Sequence, residues 1–282
     1  MTQRIAVVTG ANQGIGYALV EELANRMNPE DLVLLTGRSP ERVASAVEQM
    51  NHRAAGGGAR VEGRVVDVTD EGAVRRLAEE LGAVDLVVSN AVGPLEPGKT
   101  PAEQVDEFVD VANLGAQYML RAFGPRVRPG GRLVVVASSL GTLAQLPEEL
   151  WGRFDGVSLD EVEKVVEEWR AAVHDGTAAE AGWPEWVNLP SKVAQVAAVR
   201  AVAAERREKD LREDTLVASV CPGLVDTRAS RPWFDDFSQA KSPQDAVRPI
   251  VDLLLADHVD PALYGELIRD GKVVEWKPST RR

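Results

Sequence analysis

The segment Thr9-Gly10-Ala11-Asn12-Gln13-Gly14-Ile15-Gly16 has the spacing with the plainest chemistry in the chain. It follows the apolar run Ile5-Ala6-Val7-Val8, and after it Leu19, Val20 and Leu23 recur at helical spacing. The order is therefore strand, glycine turn, helix. Gly10 permits a tight turn, Gly14 lets backbone amides approach a pyrophosphate, and Gly16 lets the helix pack closely on the strand. The helix N-terminus presents unpaired N–H groups to the anion. A strand-to-helix turn can use glycine for structure alone, but this order at the start of the chain favours dinucleotide binding. Gly10, Asn12, Gln13, Gly14, Ile15 and Gly16 are the candidate contacts. A sheet that prefers NAD places an acid at the end of its second strand, against the ribose 2′-hydroxyl. Here Gly37 takes that position and Arg38 follows it. A guanidinium pairs with a 2′-phosphate in fork geometry, which favours NADP(H); the plainer alternative for Arg38 is an exposed surface charge.

The elements that must position these residues alternate along the chain. Candidate strands are Ile5–Thr9, Leu32–Thr36, Arg64–Asp67, Leu86–Ser89, Leu133–Ala137, Leu216–Val220 and Leu263–Arg269, with helical patterns such as Glu41–Asn51, Glu71–Leu81 and Ala102–Val127 between them. This rhythm predicts an α/β fold: a Rossmann-type, doubly wound parallel sheet covered on both faces. Residues 1–277 form one such domain. Gly56-Gly57-Gly58 reads as a flexible surface loop, and the tail Pro278–Arg282 as frayed. From about 142 to 183 the rhythm breaks. Val162, Val165, Val166 and Trp169 fall at helical spacing, so this is a helical insertion, too short for a core of its own. Glu161, Glu163, Glu167 and Glu168 are its solvated face.

Composition sets the bounds. A chain of 282 residues with 44% hydrophobic and 27% charged residues is an ordinary globular protein that needs only one domain. The excess of 44 acidic over 32 basic residues argues against nucleic acid or anionic membrane as a partner. No apolar run spans a bilayer and no basic-then-apolar signal opens the chain, so a cytoplasmic location is expected. The single Cys221 excludes an internal disulfide and reads as a small buried hydrophobe, while three histidines without ligand spacing argue against a metal site.

Further motifs follow the glycine turn in a fixed order: Thr36-Gly37-Arg38, Asp67-Val68, Ser89-Asn90-Ala91-Val92-Gly93, Asn113, Ser138-Ser139, Lys192 and Pro222-Gly223-Leu224-Val225-Asp226-Thr227. This set resembles the short-chain dehydrogenase/reductase family over nearly the whole chain. The insertion ahead of Gly182-Trp183-Pro184 is similar to that of its monomeric carbonyl reductase branch. The resemblance implies NADP(H) as cofactor, with Asp67 and Val68 at the adenine and Asn90 and Ala91 in a loop against the cofactor, although Ser89 and Val92 depart from the family's Asn-Asn-Ala-Gly. It implies that Pro222, Gly223, Val225 and Thr227 lie along the nicotinamide carboxamide. Asn113, Ser139 and Lys192 match its catalytic residues, with Lys192 also on the ribose. Residues 228–242 match its substrate lid, and the insertion covers the surface used elsewhere in the family for dimers, so a monomer is expected.

One departure changes the expectation. The family delivers its proton from a tyrosine four residues before the lysine, and here that position is Asn188. An amide donates a hydrogen bond but is no acid near neutral pH. Loss of a general acid costs ~10²–10⁴ in rate, roughly 3–5 kcal/mol of barrier. The three tyrosines, Tyr17, Tyr118 and Tyr264, offer no substitute by position. A structural reading of Asn188 stands beside the catalytic one: Pro190 belongs in a first helical turn, so the helix starts near Leu189 with Asn188 as its N-cap on the Ser191 N–H.

Three functions follow. The first is an NADPH-dependent reductase of a carbonyl, imine or enone with another proton donor: a water relayed through Asn113 and Lys192, or an insertion acid such as Asp175, Glu180 or Glu185. The second is an isomerase, lyase or cyclase that keeps NADP(H) as a structural element, with Ser139 and Asn188 as donors. The third is a catalytically silent NADP(H) sensor. Trp233, Phe234 and Phe237 of the lid, with the insertion tryptophans, suggest an apolar small-molecule substrate; anchoring of irregular segments explains them equally well.

Overall fold

The computed structural model describes residues 3–53 and 57–278. Eight strands form one sheet in the order β3-β2-β1-β4-β5-β6-β7-β8. These are β1 (Ile5–Val8), β2 (Leu32–Gly37), β3 (Arg60–Val65), β4 (Val84–Ser89), β5 (Val127–Val136), β6 (Leu216–Val220), β7 (Leu267–Arg269) and β8 (Lys272–Val274). All neighbours pair in parallel except β7 with β8. The central strands are apolar runs buried on both faces, as a covered parallel sheet requires. The strand order reverses at β1, which pairs with β2 on one side and β4 on the other. That reversal opens a crevice at the carboxyl ends of the strands.

Helices α1 (Gly14–Arg26), α2 (Pro40–Arg53), α3 (Glu71–Leu81), α4 (Pro101–Val109), α5 (Gly115–Phe123), α6 (Glu148–Trp151), α7 (Leu159–His174), α8 (Asn188–Arg212) and α9 (Pro243–Leu254) connect them. α1 packs with α9 on one face; α3, α5 and α8 pack together on the other. The insertion contributes α6 and α7, and α7 lies across α4 and α8.

Several expected boundaries move. β3 runs Arg60–Val65 rather than Arg64–Asp67, because it is an edge strand that is mostly part-exposed and lacks an apolar run. The expected helix Ala102–Val127 is broken: a π turn at Asp110–Leu114 separates α4 from α5, and β5 begins at Val127. The strand expected at Leu263–Arg269 shortens to β7, and Asp270-Gly271, both at positive φ, turns the chain into β8. Gly58 sits tightly against α1, where a Cβ would lie 2.3 Å from the Ala24 carbonyl oxygen. It is packed, not a free loop residue. Gly56 and Ser279–Arg282 lie outside the described residues.

Candidate functional site

The crevice is built first by the turn between β1 and α1. Gly10 has φ +61°, and a Cβ there would lie 2.7 Å from the Ala91 Cα. At Gly16 a Cβ would lie 2.5 Å from the Gly10 oxygen and 2.6 Å from the Asn90 Nδ2. Only bare backbone fits at either place. The Asn90 amide donates to the Thr9 and Gly10 carbonyls at 2.9 and 3.2 Å, and the Thr9 hydroxyl accepts the N–H groups of Asn90 and Ala91 at 2.9 and 3.1 Å. Asn90 therefore braces the turn from within instead of facing a ligand. Gln13, the N-cap of α1, makes no side-chain cap. The first amides of α1, through Ile15, thus stay available to an anion. A cradle that a Cβ would fill, above an uncapped helix, fits a dinucleotide pyrophosphate.

Around this turn the other expected contacts fall in two groups. Asn12 sits over Gly37, where a Cβ would meet its Oδ1 at 3.1 Å. Arg38 is exposed at the end of β2 and pairs with Glu107 of α4 at 3.1 Å. Such a surface pair is weak and exchangeable for a phosphate. Thr227 reaches the turn from the other side, its Cγ2 3.8 Å from where a Gly14 Cβ would stand. Asp67 is half-buried and accepts the N–H and hydroxyl of Thr69. Val68 is buried against Gly115, so only its backbone can meet a ligand. Pro222 and Val225 are likewise buried, and Gly223 has positive φ. Beyond them, residues 227–240 loop out and return where the Lys241 N–H bonds the Leu224 carbonyl and the Asp226 N–H bonds the Lys241 carbonyl. It is the segment expected to act as a substrate lid, and Ser242 ends it as the N-cap of α9.

The second half of the site is the start of α8. Val187 already has helical φ and ψ, the Leu189 N–H bonds the Trp186 carbonyl, and Asn188 is the first helical residue. The N-cap expected at Asn188 is therefore wrong: the helix starts one residue earlier, with Pro190 still inside its first turn, where a missing N–H costs nothing. The half-buried Asn188 amide makes no hydrogen bond among the described residues. The Ser191 hydroxyl donates to the Asn113 Oδ1 at 2.7 Å, and the Asn113 Nδ2 donates to the Ser191 carbonyl at 2.9 Å. Both ends of Asn113 are thus occupied in pinning α8 to the π turn, and its side chain is not a relay to Lys192.

Lys192 is 8% exposed. Its Nζ donates to the Gln195 Oε1 at 2.6 Å, and the Gln195 Nε2 donates to the Ala112 carbonyl in the π turn at 2.6 Å. Two of the three ammonium N–H groups have no acceptor among the described residues. Burial pushes its pKa down to about 8, against a smaller opposing pull from Cys221. A buried cation with open donors fits a ribose hydroxyl, and a pKa near neutrality fits proton transfer. Ser139, in the loop after β5, donates its N–H to the Cys221 sulfur at 3.0 Å, while its hydroxyl makes no hydrogen bond among the described residues. Cys221 is more than a packed hydrophobe, since it holds the serine backbone.

The other candidate donors fall away from this point. The Tyr264 hydroxyl is bound to Asp210 at 2.8 Å, near the far end of α8. Tyr118 lies under the influence of Glu163 and Glu71, and burial raises its pKa. Tyr17 belongs to α1. Asp175, Glu180 and Glu185 are exposed on the insertion, with no hydrogen bond to Asn113, Ser139 or Lys192. The tryptophans divide. Trp169 and Trp183 are buried with Phe154 as an aromatic cluster inside the insertion, so they anchor it. Trp186, just ahead of α8, packs against Trp233 of the 227–240 segment, with ring centroids 5.6 Å apart and planes tilted by 38°.

Gln195 is the site residue missing from the sequence reading. Its distance of three residues from Lys192 on one helix face was the available signal.

Fold and site together define a class. Residues 4–148 match the model of the family described as short chain dehydrogenase, and the chain belongs to that family. It is 30% identical over 287 residues to Carbonyl reductase [NADPH] 1 of Sus scrofa, covering 97% of this chain and 94% of that protein. Among solved structures it is similar to salutaridine reductase from Papaver somniferum, with a TM-score of 0.78 at 21% identity over 94% of this chain and 99% of that one. It is also similar to an NADPH-bound short chain oxidoreductase from Pseudomonas aeruginosa PAO1 described as containing an atypical catalytic center, with a TM-score of 0.64 at 24% identity over 94% of each chain. These two likenesses establish the shared fold.

Proposed function

We propose that the protein is an NADPH-dependent reductase of a carbonyl, imine or enone on an apolar small molecule, and that Lys192 supplies the proton a tyrosine would give. The observation that carries this reading is the buried Lys192 ammonium, held on Gln195 with two N–H groups open. The names of the carbonyl reductase relatives support NADPH as the cofactor, as do the glycine cradle and Arg38. NADPH, when bound, supplies the hydride.

The chain's own residues do the rest. The first amides of α1 bind the pyrophosphate and Arg38 binds the 2′-phosphate. Lys192 holds a ribose hydroxyl with one of its open N–H groups. The Ser139 hydroxyl and Asn188 amide donate hydrogen bonds to the substrate oxygen. Asn188 is shorter than a tyrosine and leaves room for a water, through which Lys192 passes its proton and is reprotonated from solvent. An ammonium whose pKa is about 8 is an effective acid near neutral pH. Trp186 and Trp233 favour an apolar substrate face. α7 covers α4 and the π turn, bound there by Arg170 to Asp110 and His174 to Asp106, which supports a monomer.

The test is NADPH oxidation, stoichiometric with product, across a panel of ketones, imines and enones. Turnover that leaves the cofactor unchanged would favour an isomerase, lyase or cyclase. Binding without any turnover would favour a sensor.

A further inference from the structure

We infer that Gln195 is a positioning residue whose side-chain amide mounts the Lys192 ammonium on the π-turn carbonyl of Ala112. The inference rests on the reading of Lys192 as proton source. Gln195 is 3% exposed and uses both ends of its amide: Oε1 accepts from the lysine and Nε2 donates to Ala112, each at 2.6 Å. A flexible four-carbon lysine is thereby given one location and a fixed link to a neighbouring element. The π turn makes the link possible. There the Gly115 N–H bonds the Asp110 carbonyl in an i→i+5 pattern, and such turns recur at functional sites. Asn113 and Ser191 clamp the same turn to α8 beside it, so the mount is rigid on both sides.

Gln195 is the neutral acceptor in a place otherwise poor in charge. Among the elements packed on Lys192, the end of β6 leads to Cys221, the only titratable group among the described residues that acts on it. The loop after β5 contributes Ser138, Ser139 and Gly141, with no charge, and Gly141 packs against the Lys192 carbonyl. In the π turn, Asp110 is held by Arg170 at 2.9 Å. An acceptor on the ammonium favours its charged form while burial opposes it. Gln195 therefore keeps the lysine protonated where burial alone would drain it further.

The experiment follows the lysine directly, in cofactor-free protein, by the pH titration of its side-chain ¹³Cε resonance. The chain has only seven lysines, and Lys192→Met assigns the signal. Gln195→Met removes the acceptor and is expected to move the Lys192 titration to lower pH. Gln195→Glu keeps an acceptor and adds a charge, and is expected to move it up by roughly 1–3 pH units. The upward shift in Gln195→Glu follows from the added charge alone, so the downward shift in Gln195→Met is the one a merely structural role would not produce. A Lys192 titration in Gln195→Met that stays at the wild-type pH would overturn the inference. Should Gln195→Met fail to fold, Gln195→Leu, which also lacks the acceptor, is read in the same way. Because no turnover is read, the result stands apart from the reductase assignment: Gln195 can fail while reduction is observed, and the reverse.

Discussion

Helix α8 buries a charge near each end, and the two are treated in opposite ways. Near its C-terminal end Asp210 is fully buried and completely answered: the Arg206 guanidinium donates to both carboxylate oxygens at 3.0 and 2.9 Å, and the Tyr264 hydroxyl adds a third bond at 2.8 Å. Near its N-terminal end Lys192 has one acceptor among the described residues and two open N–H groups. A satisfied buried charge belongs to the architecture, because removing one partner leaves the other stranded. A partly satisfied one is costly to hold and is expected where a ligand completes it. The same helix thus carries a structural lock and a working group about eighteen residues apart, and only the bonding of each tells them apart.

Lys192→Met breaks the comparison at its functional end. Turnover is expected to fall by ~10²–10⁴ in steady-state kinetics, while the protein becomes more stable near neutral pH. The sign follows from the shift from 10.5 to about 8. Below pH 8 the folded wild type holds a buried cation, a penalty on the order of 3 kcal/mol, partly offset in the variant by the unpaired Gln195. As pH rises from 8 to 10.5 the folded lysine is already neutral and the wild type gains stability. The advantage of Lys192→Met should therefore shrink over that window in denaturant melts.

Asp210→Ala breaks the other end. Loss of about 3–5 kcal/mol in unfolding free energy is expected, with the rate per folded molecule and the cofactor affinity unchanged. Asn188→Tyr sharpens the comparison by restoring a phenol beside Lys192. Carbonyl reduction should rise by ~10–10², and an unchanged rate would mean that the position never limits turnover. Arg38→Gln has the smallest expected effect: NADP⁺ binding measured by calorimetry should weaken ~3–10-fold, about 1 kcal/mol for an exposed pair, with NAD⁺ binding unaffected.

The fold was legible wherever one local rule sufficed. β1, β2, β4 and β6 are apolar runs, and the Thr9–Gly16 turn follows from glycine sterics. β3 was misplaced because an edge strand bearing Arg60, Glu62 and Arg64 has no such run. The π turn at Asp110–Leu114 was not legible because it adds a single residue to the helix, a phase shift too small to see within a continuous apolar pattern. β8 is three residues long, and the Asp270-Gly271 turn was its only sequence signal. In the site, Asn188 and Lys192 were legible only through the family resemblance, which places them four residues apart. The bonding of Asn90, Asn113 and Gln195 was not legible, since it depends on carbonyls supplied by other elements: Thr9 and Gly10, Ser191, and Ala112.

The central claim is that Lys192 supplies the proton, and the pH dependence of hydride transfer in single-turnover experiments with saturating NADPH tests it most directly. The account predicts a rate that is high below pH 8, falls as pH rises through the lysine pKa of about 8, and loses this limb in Lys192→Met. A rate that stays flat across that window, or the same falling limb in the variant, would contradict it.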